Sequence, residues 1–272
     1  MQIYTLNVGQ GQFVVVTGTN EAFIVDTFVP LSTAQETVFV KSALSRILAN
    51  KKLVGLLVTG FDADHFCEPG MKLVLNKYRP DWIMYPKYFK ETDTANRCFA
   101  SIRALEGPKE IAKHSIVLSE NVRRLFNSLS REFTFEVFSP HRADMNSSNN
   151  CSIVCKVIEK ATGATYLITA DTEDDRWSTI ANEFRTSLKA DVLAAAHHGS
   201  DNGITAEALK YVKPHTILVS AGVGSQYGHP GLAAQRLFGA HSEKWYSSNS
   251  GKGQSLRTIA DGKTVSTYLF VV

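Results

Sequence analysis

LLVTGFDADHFCEPG, residues 56–70, is the stretch on which the reading of this chain turns. An apolar run ends at Thr59. Asp62, Asp64 and His65 then crowd into four positions, and a glycine, Gly70, follows shortly after. An apolar run of this kind reads as a buried strand, and its far end is where α/β proteins gather binding and catalytic groups. Two carboxylates and an imidazole are costly to bury there unless they are paired or put to use.

Working outward, LVGLLVTG (53–60) reads as the strand that delivers the motif. Before it, MQIYTLNVGQGQFVVVTG (1–18) is strand, glycine turn, strand, and EAFIVDTF (21–28) is a third strand. STAQETVFVKSALSRILANK (32–51) has helical spacing, with Val38, Ala43, Leu44 and Ile47 on one face. After it, MKLVLNKY (71–78) reads as helix and PDWIMYP (80–86) as strand. Residues 91–116 read as one or two helices, NVRRLFNSL (121–129) as helix and FTFEVFSP (133–140) as strand. The second half repeats the rhythm. Strands are expected in 149–160, 163–171, 190–200, 215–222 and 264–272, with helices in 171–184, 206–212 and 232–242.

Strands and helices alternate in both halves, and no Pro/Ser-rich linker, short repeat or low-complexity segment interrupts them. The expected fold class is therefore α/β, with two mixed sheets packed together, helices outside, and a single domain over 1–272. A chain of 272 residues, 44% hydrophobic, suffices for such a core. Twenty-nine Lys and Arg against 26 Asp and Glu make it mildly basic, which permits a phosphate or nucleic-acid partner without demanding one. Four cysteines with no CxxC pair, no signal peptide and no apolar run of ~18–20 residues argue against a disulfide scaffold or a membrane span. The expected compartment is the cytoplasm.

Position, more than count, marks the polar residues. Asp62, Asp64 and His65 follow one strand, Asp171 ends TYLITAD, His197 and His198 follow VLAAA, and His229 lies in YGHPG after TILVSAG. Four apolar strands thus each deliver His or Asp at the C-terminal end. Imidazole nitrogens and carboxylate oxygens are the donors a borderline divalent cation takes. Paired cations about 3.5–4 Å apart need a bridging carboxylate, a role that suits Asp171, and water on such a cation loses a proton near neutral pH. His114, His141, His215 and His241 lack this context and read as surface or structural.

In order and spacing these motifs resemble the metallo-β-lactamase superfamily, and within it the hydrolase domain of the ComEC/Rec2 competence proteins and their stand-alone relatives. LNVGQGQFVVV resembles the opening DVGQGD and its strand, and FIVDTF resembles lVDtG. VTGFDADH resembles the THxHxDH metal motif with Asp at its second ligand position. NNCSIVCKV, LITAD, ADVLAAAHHGS and YGHP resemble the later motifs.

The resemblance implies an αββα two-sheet sandwich and a cofactor of one or two divalent ions, Zn or Mn. It matches Asp62 to the first metal site and Asp64 and His65 to the second, with Asp171 bridging. One of His197 and His198 matches the late ligand. His229 matches the residue that reaches the substrate's phosphate or leaving group, so Asp64 and His229 are the candidate catalytic pair. There are departures. Gly60 stands where the motif's first histidine belongs, Asn7 and Gln12 replace acids of the opening, Phe28 replaces a glycine, and Glu68 and Pro69 precede Gly70. The first site is left with Asp62 and a share of Asp171. The implied activity is metal-dependent hydrolysis of phosphodiesters in nucleic acid or nucleotides. An inactive binding or scaffold module, and a hydrolase of esters, lactones or amides, are the competing expectations.

Overall fold

The structure is a computed structural model describing residues 1–29, 34–87, 91–104 and 110–272. In chain order the first half comprises β1 (Gln2–Thr5), β2 (Val14–Thr17), β3 (Glu21–Val25), α1 (Ala34–Ile47), β4 (Lys52–Leu57), α2 (Glu68–Lys72), β5 (Trp82–Pro86), α3 (Asp93–Arg103) and β6 (Ala112–Ile116). The second comprises β7 (Arg124–Phe126), β8 (Phe133–Ser139), β9 (Val154–Glu159), β10 (Thr165–Ile168), α4 (Asp174–Phe184), β11 (Val192–Ala194), α5 (Ala206–Val212), β12 (Thr216–Val219), α6 (Leu232–His241) and β13 (Lys244–Ser247). β14 (Ser255–Ala260) and β15 (Val265–Phe270) close the chain.

Two mixed sheets result. One runs β15-β14-β1-β2-β3-β4-β5-β6 and the other β13-β12-β11-β10-β9-β8-β7. Neighbours are parallel from β3 to β6 and from β10 to β13, the parts served by helical crossovers.

Period-2 alternation explains the layering. On β2 and β3, Val14, Val16, Phe23 and Val25 join Trp82, Phe135, Ile153 and Tyr166 between the sheets. Val15 and Ile24 face the other way and pack with Val40, Ala43 and Leu44 of α1. The second sheet turns Leu167, Leu193 and Ile217 outward against Trp177, Ile180, Leu209 and Phe238 of its helices. The arrangement is the expected αββα sandwich. Among the described residues no helix is long and apolar enough to cross a membrane.

Some local expectations fail. Val38 is 58% exposed, and Val40 takes the inner face instead. The second helix considered for 91–116 is β6, whose residues pair in parallel with β5. The helix expected over 121–129 is β7, where adjacent Leu125 and Phe126 split between solvent and core, as a strand requires. Its pairing with β8 decides the matter over local propensity. β13 and β14 lie in stretches given no element from sequence.

Candidate metal centre

β4 ends at Leu57, and the chain turns at Asp62, whose carbonyl accepts from the amides of His65 (3.0 Å) and Phe66 (3.1 Å). The turn is pinned from outside: Gln12 N–H donates to the Asp64 carbonyl at 2.8 Å, and Thr27 N–H to that of His65 at 3.0 Å. Pro69 lies in the first turn of α2, where a missing N–H costs nothing. Gly70 is required by close approach, because a Cβ there would meet the Thr27 carbonyl oxygen at 2.0 Å. The glycine after the motif presses the helix onto the strand-end loop.

The His65 ring is buried and held at both nitrogens. Nδ1 lies 2.8 Å from Asp26 Oδ2, and Nε2 lies 2.9 Å from Asp171 Oδ1. Asp26 also accepts from the Thr59 amide (2.7 Å), the Thr59 hydroxyl (2.6 Å) and the Gln12 side chain (2.8 Å). A carboxylate so fixed keeps a hydrogen on Nδ1 and aims Nε2 at Asp171. His198 repeats the device: its Nδ1 donates to the Ser220 carbonyl at 2.7 Å, an oxygen that can only accept. Its Nε2 faces Asp64 Oδ2 at 3.3 Å and Asp171 Oδ1 at 3.6 Å.

Asp64, His65, Asp171 and His198 each offer one donor atom, and these atoms all lie within 4.8 Å of one another. Three of them, His65 Nε2, Asp171 Oδ1 and His198 Nε2, are buried and make no well-aligned hydrogen bond, only ion-pair approaches to one another of 2.9 and 3.6 Å. Orphaned polar atoms are costly in a protein interior, more so when they converge. Two imidazoles and two carboxylates converging in this way fit a divalent cation. Without one, the charges compensate each other. Burial opposes protonation of His65, but Asp171 and Asp26 outweigh it and hold the pKa well above the usual histidine value. His198 is raised likewise, against burial, chiefly by Asp171 and Asp64. Asp171 is lowered, against burial, by His65 and His198.

The structure distinguishes the two adjacent histidines. Both have left-handed backbones, φ 49° for His197 and 55° for His198, conformations that non-glycine residues rarely adopt. The second turns into the donor set. The first turns aside, with Nδ1 3.6 Å from Glu173 Oε1. His197, Asp62 and His229 line the same cleft but stand outside the four-residue set. Burial raises the Asp62 pKa, with His65 pulling the other way. His229 contacts Gln10 through Nδ1 at 3.3 Å, and its ring stacks on that of His198 with centroids 6.5 Å apart. Burial, then the charges of His198 and His197, lower its pKa, so its ring is neutral at pH 7. At Gly60 an added Cβ would meet Ser152 Oγ at 3.7 Å and His65 Cγ at 4.0 Å, ordinary contact distances, so the backbone there accommodates a Cβ.

Sequence reasoning assigned no role to Asp26, the residue that orients His65. The signal in FIVDTF is an acid that ends a buried strand.

No protein-family model matches the chain. ComE operon protein 3 of Bacillus subtilis is 29% identical over 192 residues, 71% of this chain, and the aligned region spans 23% of that protein's length. Among solved structures, the metallo-β-lactamase fold protein YhfI of Bacillus subtilis aligns over 94% of this chain and 99% of its own, with TM-score 0.51 and 9% identity. Igni18, a metallo hydrolase of Ignicoccus hospitalis, aligns over 94% and 98%, with TM-score 0.52 and 10% identity. CmlA, a diiron β-hydroxylase of Streptomyces venezuelae, aligns over 90% and 52%, with TM-score 0.52 and 12% identity. These likenesses show the metallo-β-lactamase fold, and the hydroxylase among them shows that this fold alone does not name a reaction.

Proposed function

We propose that this metallo-β-lactamase-fold chain is a metal-dependent hydrolase of phosphodiesters, in nucleotides or nucleic acid, built around one tightly held cation, Zn or Mn. The observation that carries the reading is the convergence of His65 Nε2, His198 Nε2 and Asp171 Oδ1, buried and in contact only with one another and with Asp64. When bound, the cation supplies Lewis acidity and makes water a nucleophile at neutral pH.

The rest falls to the chain's own side chains. His65, His198 and Asp171 hold the cation from inside, while Asp26 and the Ser220 carbonyl keep the two rings aimed. Asp64 is the donor that faces the cleft, its side chain 28% exposed, placed to take the proton of the attacking water. His198 and His65 lower its pKa against the effect of burial, so it is an acceptor at neutral pH. Neutral His229 at the cleft wall contacts the phosphate or the leaving group. A single ion is the reading the donor set supports: Asp62 lies outside it among the described residues, Gly60 offers no side chain, and His141 is engaged by Arg176.

The absence of a ligand side chain at Gly60 favours one second reading, a binding module that keeps the fold and the ion without turnover. Elemental analysis of the purified protein, with hydrolysis of bis(p-nitrophenyl) phosphate in Zn²⁺ and Mn²⁺, separates the two. About one ion with turnover supports the hydrolase, and Asp62→Ala then costs little. One ion with no turnover on any phosphodiester supports the binding module. No tightly held ion defeats both.

A further inference from the structure

We infer that Tyr227 is a stacking platform for a planar base of the substrate, and that the site takes small nucleotide phosphodiesters in preference to long nucleic acid; this rests on the hydrolase reading above.

The argument begins with an aromatic ring in an unusual place. Tyr227 is 60% exposed, yet it lines the same cleft as Asp64 and Asp171. Its ring lies against that of His229, with centroids 5.8 Å apart and planes 26° apart. The His229 ring in turn stacks on His198 at 15°. A ladder of three rings therefore leads from solvent to the donor set. The turn that presents the tyrosine is tight: Gly228 N–H donates to the Ser225 carbonyl at 3.1 Å, and Gly228 has φ of 64°, a conformation that suits glycine. With His229 alongside and most of its surface in solvent, the phenol has a ring face to offer a flat partner. Aromatic side chains beside phosphodiester sites are well suited to bases, since every base has a π-face.

Charge and size narrow the class. Among the described residues lining the cleft, none is Lys or Arg. Proteins that track long nucleic acids need a row of such cations to neutralise successive phosphates. Here the lining acids are Asp62, Asp64 and Asp171, so a bound phosphate depends on the cation and the histidines. The cleft holds about 440 Å³, within the range of small-ligand sites. One phosphodiester and one base fit that description, with the phosphorus at the donor set and the base at the rim.

The test compares two esters with the same leaving group, the p-nitrophenyl ester of thymidine 5′-phosphate and methyl p-nitrophenyl phosphate. In the metal-loaded protein, Tyr227→Ala should raise KM for the thymidine ester about tenfold with kcat within twofold, and leave the methyl ester within twofold. Tyr227→Phe should restore the thymidine value. Equal losses on both esters, or no loss on either, would overturn the platform. Calorimetric titration of the metal-loaded protein with thymidine 5′-phosphate and with methyl phosphate reads the same contact without turnover. Wild type should prefer the nucleotide, and Tyr227→Ala should lose that preference. If neither ester is hydrolysed but this pattern appears, the platform stands and the hydrolase reading falls. If wild type binds both phosphates equally, the platform falls whatever the turnover. A duplex oligonucleotide that competes at lower concentration than thymidine 5′-phosphate would overturn the preference for small substrates.

Discussion

His65 sits among carboxylates, whereas His141 sits beside a guanidinium. Both rings are buried, and both belong to clusters of charged side chains. His141 Nδ1 accepts from Arg176 Nη2 at 2.6 Å, and Arg176 Nε lies 3.0 Å from Asp144 Oδ2. Asp144 accepts from the His141 amide at 2.7 Å, and Glu183 Oε2 stands 3.7 Å from the ring. Burial and then Arg176 push the His141 pKa down to about 4. At His65 the carboxylates win against burial and push it up. Arginine fills the first cluster with its own fixed cation, so it has no use for another. The second brings carboxylates and two imidazoles to one point and supplies no fixed cation. A buried histidine therefore says little about metal until the sign of its neighbours is known.

The largest effect should come from breaking the His65 side. His65→Ala should lose the tightly bound ion by elemental analysis and lower hydrolysis by at least roughly 10³-fold, because the set loses one of its two imidazoles and keeps only Asp64, Asp171 and His198. His141→Gln, assayed in parallel, should keep the ion and most of the activity. Equal ion content in the two variants would erase the contrast.

A milder cut is Asp26→Asn, which leaves every donor in place and removes only the charge that aims His65. Ion affinity should fall about 10- to 100-fold in a chelator competition. An unchanged affinity would make Asp26 a core residue and nothing more.

Next comes pH. A histidine with a depressed folded pKa contributes stability that is present above the unfolded value of ~6.5 and is lost as pH falls toward the folded one. For His141 that window runs from about 6.5 down to about 4. His65, raised, has the opposite sign in the metal-free protein. Urea unfolding of metal-free wild type and His141→Gln should show their stability difference shrinking by on the order of 2 kcal/mol between pH 7.5 and 5. A constant difference would mean that His141 is not held neutral.

The smallest expected effect is a gain. Gly60 has no positive φ, and a Cβ there meets nothing closer than 3.7 Å. Gly60→His should fold and, with Asp62 beside it, raise ion content from about one toward a partly occupied second position. Stoichiometry fixed at one would show that Asp62 has been lost to metal binding altogether.

Much of this was legible in advance, and for identifiable reasons. Asp64, His65, Asp171 and the histidine pair follow apolar strands whose burial is written in their composition, so their convergence could be read from placement. Which of His197 and His198 turns inward could not, because the choice lies in two consecutive left-handed residues and a hydrogen bond to the Ser220 carbonyl, 22 residues away. Asp26 was missed because its partner His65 is 39 residues distant. β7 was misread because three residues, Arg124–Phe126, carry too little period to tell strand from helix, and β8 supplies the decision. Val38 and Val40 differ by which side of α1 meets the sheet, a matter of helix rotation.

The donor set also has a mechanical meaning. Asp64 and His65 hang from the end of β4 in one sheet, while Asp171 and His198 hang from the ends of β10 and β11 in the other. An ion held by all four is a clasp across the seam between the layers, added to the packing and to hydrogen bonds such as that from the Ile153 amide to the Thr59 carbonyl, 2.8 Å, that already join them. Its binding energy adds directly to the work of prising the layers apart, about 2.7 kcal/mol when free ion stands at a hundred times its Kd. Chelation should therefore loosen the rim of the sandwich first, exposing the amides of the strand-end loops to exchange while the packed centre around Phe23, Trp82 and Phe135 stays closed.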